Sequence, residues 1–177
     1  MELTTQLSEN KIVLLILSRE KYNLELNQIL KVLHGSARKT CYVCINEPYS
    51  YVCESLKKND LSQQKFFFID TVTKKVQTPP AADDCIFVSA PNALTEISLA
   101  FSKAFAERQC DAVLFDSLSM LMIYENSHSI VQFVHSLLTK LRISGGRAYF
   151  VALKDDISTE LVKDLHMFVD KVVDIGN

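Results

Sequence analysis

The stretch DAVLFDSLSML, residues 111–121, decides how the chain folds. Its apolar run, Ala112 through Phe115, stops at Asp116 and is followed at once by the hydroxyl of Ser117. An apolar run without alternation suits a strand buried on both faces, as in a parallel sheet covered by helices. In such sheets ligands bind just beyond the carboxyl ends of the strands. Asp116 and Ser117 would stand there. In nucleotide-hydrolysing enzymes an Asp in this place holds Mg²⁺, directly or through water, provided that a phosphate loop faces it.

Working outward, strand and helix signals alternate along the whole chain. Residues 12–18 are β-branched residues and leucines, and Asn23 is placed to cap a helix with Leu26, Ile29, Leu30 and Leu33 at helical spacing, which Gly35 would stop. Residues 41–46 form a second strand, and Pro48 suits the first turn of a helix reaching about Asn59. A third strand covers 65–70. Residues 74–84, with Pro79-Pro80, form the one long loop, and 85–89 a short strand. Asn92 is expected to cap a helix with Leu94, Ile97, Phe101, Ala104 and Phe105 on one stripe. Beyond the Asp116 strand, a helix from about Ser127 carries Ile130, Val134, Leu137 and Leu141 and ends at Gly145-Gly146. Residues 147–153 are a strand, Ile157, Leu161, Leu165 and Phe168 line a further helix, and 171–175 close the sheet. The class is α/β with a mainly parallel central sheet.

Composition limits the functions open to such a fold. A chain of 177 residues, 48% hydrophobic, suits one domain spanning 1–177 with a sizeable core. The longest aliphatic run, residues 12–17, is far short of the roughly 20 needed to cross a bilayer, and the polar start MELTTQLSEN lacks a signal-peptide layout. A cytoplasmic protein without membrane contact is expected. Five cysteines, mostly within apolar segments, fit reduced thiols used as small hydrophobes. With a net charge of −2 and the pairs Arg38-Lys39, Lys57-Lys58 and Lys74-Lys75 scattered among acids, nucleic-acid binding gets no electrostatic support.

A phosphate loop would lie between the first strand and the first helix, where glycines let several N–H groups converge on phosphate oxygens and a lysine reaches the terminal phosphates. Here that segment is Leu17, Ser18, Arg19, Glu20, Lys21, Tyr22, Asn23. No glycine precedes Gly35, and Gly-Lys-Ser/Thr occurs nowhere. Lys21 is the one residue that could stand in for the lysine, but side-chain-bearing residues resist the positive φ angles required, and Glu20 would repel phosphate. Asp116-Ser117 is then either a retained metal site or a strand-ending pair that caps the next turn, and the second reading is preferred. Glu47 ends the second strand, where a water-activating glutamate or a helix-entry residue would sit.

Other chemistry finds less support. Cys41 and Cys44 form a Cys-x-x-Cys, but three apart on a strand they point to opposite faces. His128 and His135, seven apart on a helix, are about 10 Å apart along its axis. Asp70 and Lys154, each ending a strand, suggest a response-regulator receiver, but a receiver needs acids after its first strand, and here Leu17-Ser18 stand there.

The order of these segments resembles the RecA superfamily, and within it the small KaiC-like ATPase domains found especially in archaea. The resemblance rests on KIVLLILS, CINEP, KFFFIDT, IFVSAPNALTEISLAFSKAF, DAVLFDSLSML, LLTKLRISGG, AYFVALKDD and FVDKVVDIG, and covers nearly the whole chain. It implies a three-layer RecA-like P-loop NTPase fold, with a five-stranded parallel core whose first strand neighbours the Asp116 strand and brings Ser18 beside Asp116. Asp116 would match the metal-associated Asp, Ser117 the hydroxyl after it, and Glu47 the strand-end glutamate. The defining phosphate loop is replaced by SREKYNLELNQIL. The expectation is therefore a non-catalytic, KaiC-like pseudo-ATPase acting as a protein-interaction or regulatory module, for instance in signalling, with no cofactor, no metal and no catalytic residue. Its partner would be a second copy or an active KaiC-like paralogue. The alternative is a Mg²⁺-dependent ATPase using a non-standard loop, with Lys21, Glu47, Asp116 and Ser117 as its parts and ATP and Mg²⁺ as its ligands.

Overall fold

The computed structural model describes residues 3–176; the first two residues of the polar start and Asn177 lie outside them. The strands are β1 (Ile12–Leu17), β2 (Thr40–Cys44), β3 (Phe66–Asp70), β4 (Cys85–Phe87), β5 (Ala112–Asp116), β6 (Arg147–Leu153) and β7 (Lys171–Asp174). They form one sheet in the order β4-β3-β2-β5-β6-β1-β7, with every pairing parallel. The helices are α1 (Leu3–Glu9), α2 (Tyr22–Ser36), α3 (Tyr49–Lys58), α4 (Leu94–Glu107), α5 (Leu118–Leu121), α6 (Ser127–Ser144) and α7 (Thr159–Leu165).

The apolar runs become strands because both of their faces are covered. Along β1, Ile12, Leu14 and Ile16 join one core while Val13, Leu15 and Leu17 join the other, following the two-residue period of a strand. The first core is closed by α4, α6 and α7 through Ile97, Phe101, Val134, Leu137, Leu161 and Leu165. The second is closed by α1, α2 and α3 through Leu7, Ile29, Leu33, Val52 and Leu56. Cys41 and Cys44 fall in different cores, as their spacing requires. All five cysteines are free thiols. The three phenylalanines of β3 are buried, each worth roughly 1.5–3 kcal/mol.

Several boundaries differ from those read in the sequence. Asn23 does not cap α2, which begins one residue earlier with Lys21 in the cap position and no side-chain cap. Gly35 does not stop that helix but stays within it, and the chain turns out only at Ala37. Asn92 does not cap α4; the cap position is Ala93. Glu96 instead reaches back over that end, its carboxylate accepting from Ser89 N–H at 2.9 Å and Ser89 Oγ–H at 2.6 Å. The short polar helix α1 has no clear signal in the sequence. It is held by one buried side chain, Leu7, and by the Tyr149 hydroxyl donating to the Leu7 carbonyl at 3.0 Å. The ends of α6 follow the sequence: Asn126 Oδ1 accepts from Ser129 N–H at 2.9 Å, and Gly145 takes the left-handed conformation at φ 72°.

The expected neighbourhood of β1 is overturned. β6 lies between β1 and β5, so the first strand does not pair with the Asp116 strand, and Ser18 is not set beside Asp116 by strand pairing. The described residues form one continuous parallel sheet of seven, with five inner strands and with β4 and β7 at its edges, in keeping with the expected parallel core and edge strands.

Candidate functional site

Asp116 ends β5 between the ends of β2 and β6, opposite Cys44 and Val151. Its carbonyl accepts from the N–H groups of Ile45 and Asn46, which ties the end of β2 to it. The chain leaves β1, passes β6 and starts α2 at Tyr22, directly against this carboxylate. The Tyr22 hydroxyl lies 2.6 Å from both carboxylate oxygens, and the Tyr42 hydroxyl donates to Oδ2 at 2.7 Å. Asn46 Nδ2 donates in turn to the Tyr22 oxygen at 3.3 Å. Asp116 is 1% exposed. Burial pushes its carboxyl up to about 6, the two phenols pull the other way, and the charge of nearby Glu47 adds to the rise. Both phenols are pushed above their usual range, chiefly by burial and then by the Asp116 charge.

The hollow beside this cluster, bounded by Tyr22, Tyr42, Glu47, Tyr51 and Asp116, measures about 20 Å³. That is room for about one water, against the several hundred Å³ of a typical ligand pocket. Glu47 is half-buried on its rim, whereas Lys21 is exposed and does not line it. Ser117 is buried and caps α5, its Oγ accepting from Met120 N–H at 3.3 Å. The Asp116–Ser117 peptide bond is cis. Ser117 therefore acts as the cap expected of it, while Asp116 anchors two tyrosines. Of the four residues singled out in the sequence, the fold brings Asp116 and Glu47 to one hollow and leaves Lys21 outside.

Residues 18–21 turn from β1 into α2 with the side chains of Arg19, Glu20 and Lys21 exposed and two of the turn's amides held by side chains. The Ser18 N–H donates to Glu25 Oε2 at 2.8 Å, and the Lys21 N–H donates to Ser18 Oγ at 3.1 Å. Glu25 is itself 3% exposed, so a carboxylate of α2 already holds the Ser18 amide of the turn in which a phosphate loop would offer its N–H groups to an anion. The turn is also closed from outside by Gly176, where a Cβ would fall 2.8 Å from the Ser18 nitrogen. A larger hollow of about 540 Å³ lies beyond β1 and β6, lined by Arg19, Ser119, Met120, Met122, Leu153 and Asp156. Its cation, Arg19, is paired with Asp156.

Asp70, the other strand-end carboxylate, is filled by local donors: Tyr49 N–H at 2.7 Å, Val72 N–H at 2.7 Å, Thr73 N–H at 2.8 Å and Thr73 Oγ1–H at 2.6 Å. Lys154 pairs with Asp174 at 2.9 Å. The receiver-like pair is thus not brought together. Among the described residues no group of three or more His, Cys, Asp or Glu is arranged to hold a metal ion.

Residues 15–175 match the model of a family described as a family of unknown function (DUF7504). The chain belongs to the DUF7504 family. No curated protein matches it. Among solved structures it is similar to a prototypical ATPase from the type III secretion system of pathogenic bacteria, at 13% identity and a TM-score of 0.52, over 94% of this chain and 51% of that one. The chain spans about half the length of that structure. At this identity the likeness concerns the fold, which is a RecA-like α/β domain built on an all-parallel sheet. No helix among the described residues is long and apolar enough to cross a membrane.

The residues missed in the sequence are Tyr22, Tyr42 and Glu25. Tyr42 carried a signal: a phenol in the middle of the buried run TCYVC needs a buried acceptor. Tyr22 and Glu25 carried none, because their partners are 94 and 7 residues away and meet them only through the path of α2.

Proposed function

We propose that this DUF7504 domain is a non-catalytic, KaiC-like RecA-type domain that works by binding another protein. The observation that carries this reading is the occupied state of the Asp116 carboxylate, whose two oxygens accept from Tyr22 and Tyr42. A carboxylate that holds Mg²⁺ must direct an oxygen toward metal or its water, and here each oxygen already meets a phenol and the adjoining hollow has room for about one water. The turn at residues 18–21 supports the same reading, because Glu25 and Ser18 take the amides of Ser18 and Lys21. The partner is a second copy or an active relative of the same fold. Asp116→Asn should leave partner binding intact.

The test is a titration of the purified chain with ATP and Mg²⁺, followed by calorimetry and thermal unfolding. Ligand at 100 times its dissociation constant stabilises a fold by about 2.7 kcal/mol, a clear rise in Tm. The expected result is no heat and no shift up to millimolar nucleotide. Saturable, Mg²⁺-dependent binding would overturn the proposal and assign Lys21, Glu47 and Asp116 to a non-standard nucleotide site.

A further inference from the structure

The groove between α4 and α6 has a charge pattern that complements itself. It is an open hollow of about 510 Å³, with Phe133 and Leu94 along it and small hydroxyl residues, Ser98, Ser129 and Ser136, beside them. Leu99 stands on its rim, 65% exposed. Its two ionisable residues lie at opposite ends: Glu125 just before the first turn of α6, and Lys140 near the last. Along a helix this separation is on the order of 20 Å.

Neither charge meets an opposite one among the described residues. Lys140 Nζ donates to Ser98 Oγ at 2.7 Å, Ser102 Oγ at 3.0 Å and the Ser98 carbonyl at 3.4 Å, all uncharged acceptors. Neither Lys140 nor Glu125 enters an ion pair there. The acceptors around Lys140 Nζ supply no counter-charge, and a carboxylate brought to this end of the groove would make a stronger, charge-assisted contact than they do.

We propose that this groove is a two-fold interface with a second copy of the chain. A two-fold axis across the middle of the groove reverses its direction in the partner. Lys140 of each copy then meets Glu125 of the partner subunit, which forms two equivalent ion pairs, as an isologous contact requires. The uncharged middle lets the two apolar faces approach, with Leu99 of each copy entering the other groove. An unrelated partner would need a matching acid and base at the same separation, whereas a second copy carries both. The dimer rests on the protein-binding reading above but uses no residue of the Asp116 cluster, so the nucleotide titration and the test below can fail separately.

The experiment is sedimentation of the full chain and of Lys140→Glu, Glu125→Lys and their equimolar mixture, with circular dichroism to verify folding. Wild type should sediment at twice the chain mass of 20.0 kDa. Each single variant should weaken self-association by roughly a hundredfold or more, because like charges then face each other twice. The mixture should restore a dimer, since a pair made of one Lys140→Glu chain and one Glu125→Lys chain again sets an acid against a base at both contacts. A monomeric wild type, single variants that dimerise as wild type does, or a mixture that stays monomeric would each overturn the proposal.

Discussion

Asp70 and Asp116 end β3 and β5, the two strands that flank β2, and both are buried, yet their surroundings differ in kind. Three of the four donors to Asp70 come from the backbone and one from Thr73, all within 21 residues of it. Those to Asp116 are two phenols, from 94 and 74 residues away. The first carboxylate satisfies peptide groups near it in the chain and so fixes the turn into residues 72–75 and the entry to α3. The second gathers two side chains that would otherwise need other acceptors, and its burial raises it to about 6. One holds local backbone; the other holds α2 to the sheet.

The largest expected effect follows from the Asp70 side. Asp70→Ala should lower the unfolding free energy by about 4 kcal/mol, read from urea denaturation, because several buried donors lose their acceptor at about 1–3 kcal/mol each. If Asp116→Asn costs as much, the contrast between the two carboxylates fails.

The next concerns pH. A carboxyl raised in the folded state binds its proton more tightly there than in the unfolded chain. Its contribution to stability is therefore full below the unfolded value of 3.8 and lost as pH rises through about 6. Wild type should thus lose on the order of 2 kcal/mol relative to Asp116→Asn between about pH 4 and about pH 6.5. Parallel stability curves for the two proteins would place the raised titration elsewhere.

The smallest effect separates the two phenols. Tyr42→Phe should cost about 1.5 kcal/mol at neutral pH, as expected for a hydrogen bond to a charged group, and less as pH falls below about 6, where Asp116 in the folded chain takes up its proton. Tyr22→Phe should cost about the same, with a double-mutant cycle against Asp116→Asn reporting the coupling. Additivity in both cycles would mean that the hydroxyls contribute packing alone.

The inner strands were legible because β1, β2, β3 and β5 are apolar runs buried on both faces, a pattern that burial itself imposes; β6 was legible at both of its ends, whereas the edge strand β7 is only half-buried. Helix ends were legible at α6, whose start at Ser127 and whose end at Gly145 follow the apolar spacing and the glycine pair. They were misleading at Asn23 and Asn92, where capping residues were present but the backbone entered the helix beside them. The candidate site was half legible. Asp116 and Ser117 stood out because polar residues ended an apolar run, but the phenols that occupy Asp116 belong to segments far away in sequence.

By itself, the sequence determined the α/β class, the parallel sheet and the absence of a glycine-rich phosphate loop, because burial periodicity and backbone freedom are properties of neighbouring residues. Only the tertiary structure decided that β6 separates β1 from β5, that Glu25 takes the amide of the β1–α2 turn, and that Tyr22 meets Asp116. These contacts depend on where each crossover returns to the sheet, and strand order is set by how the helices pack over both faces, which no local pattern records.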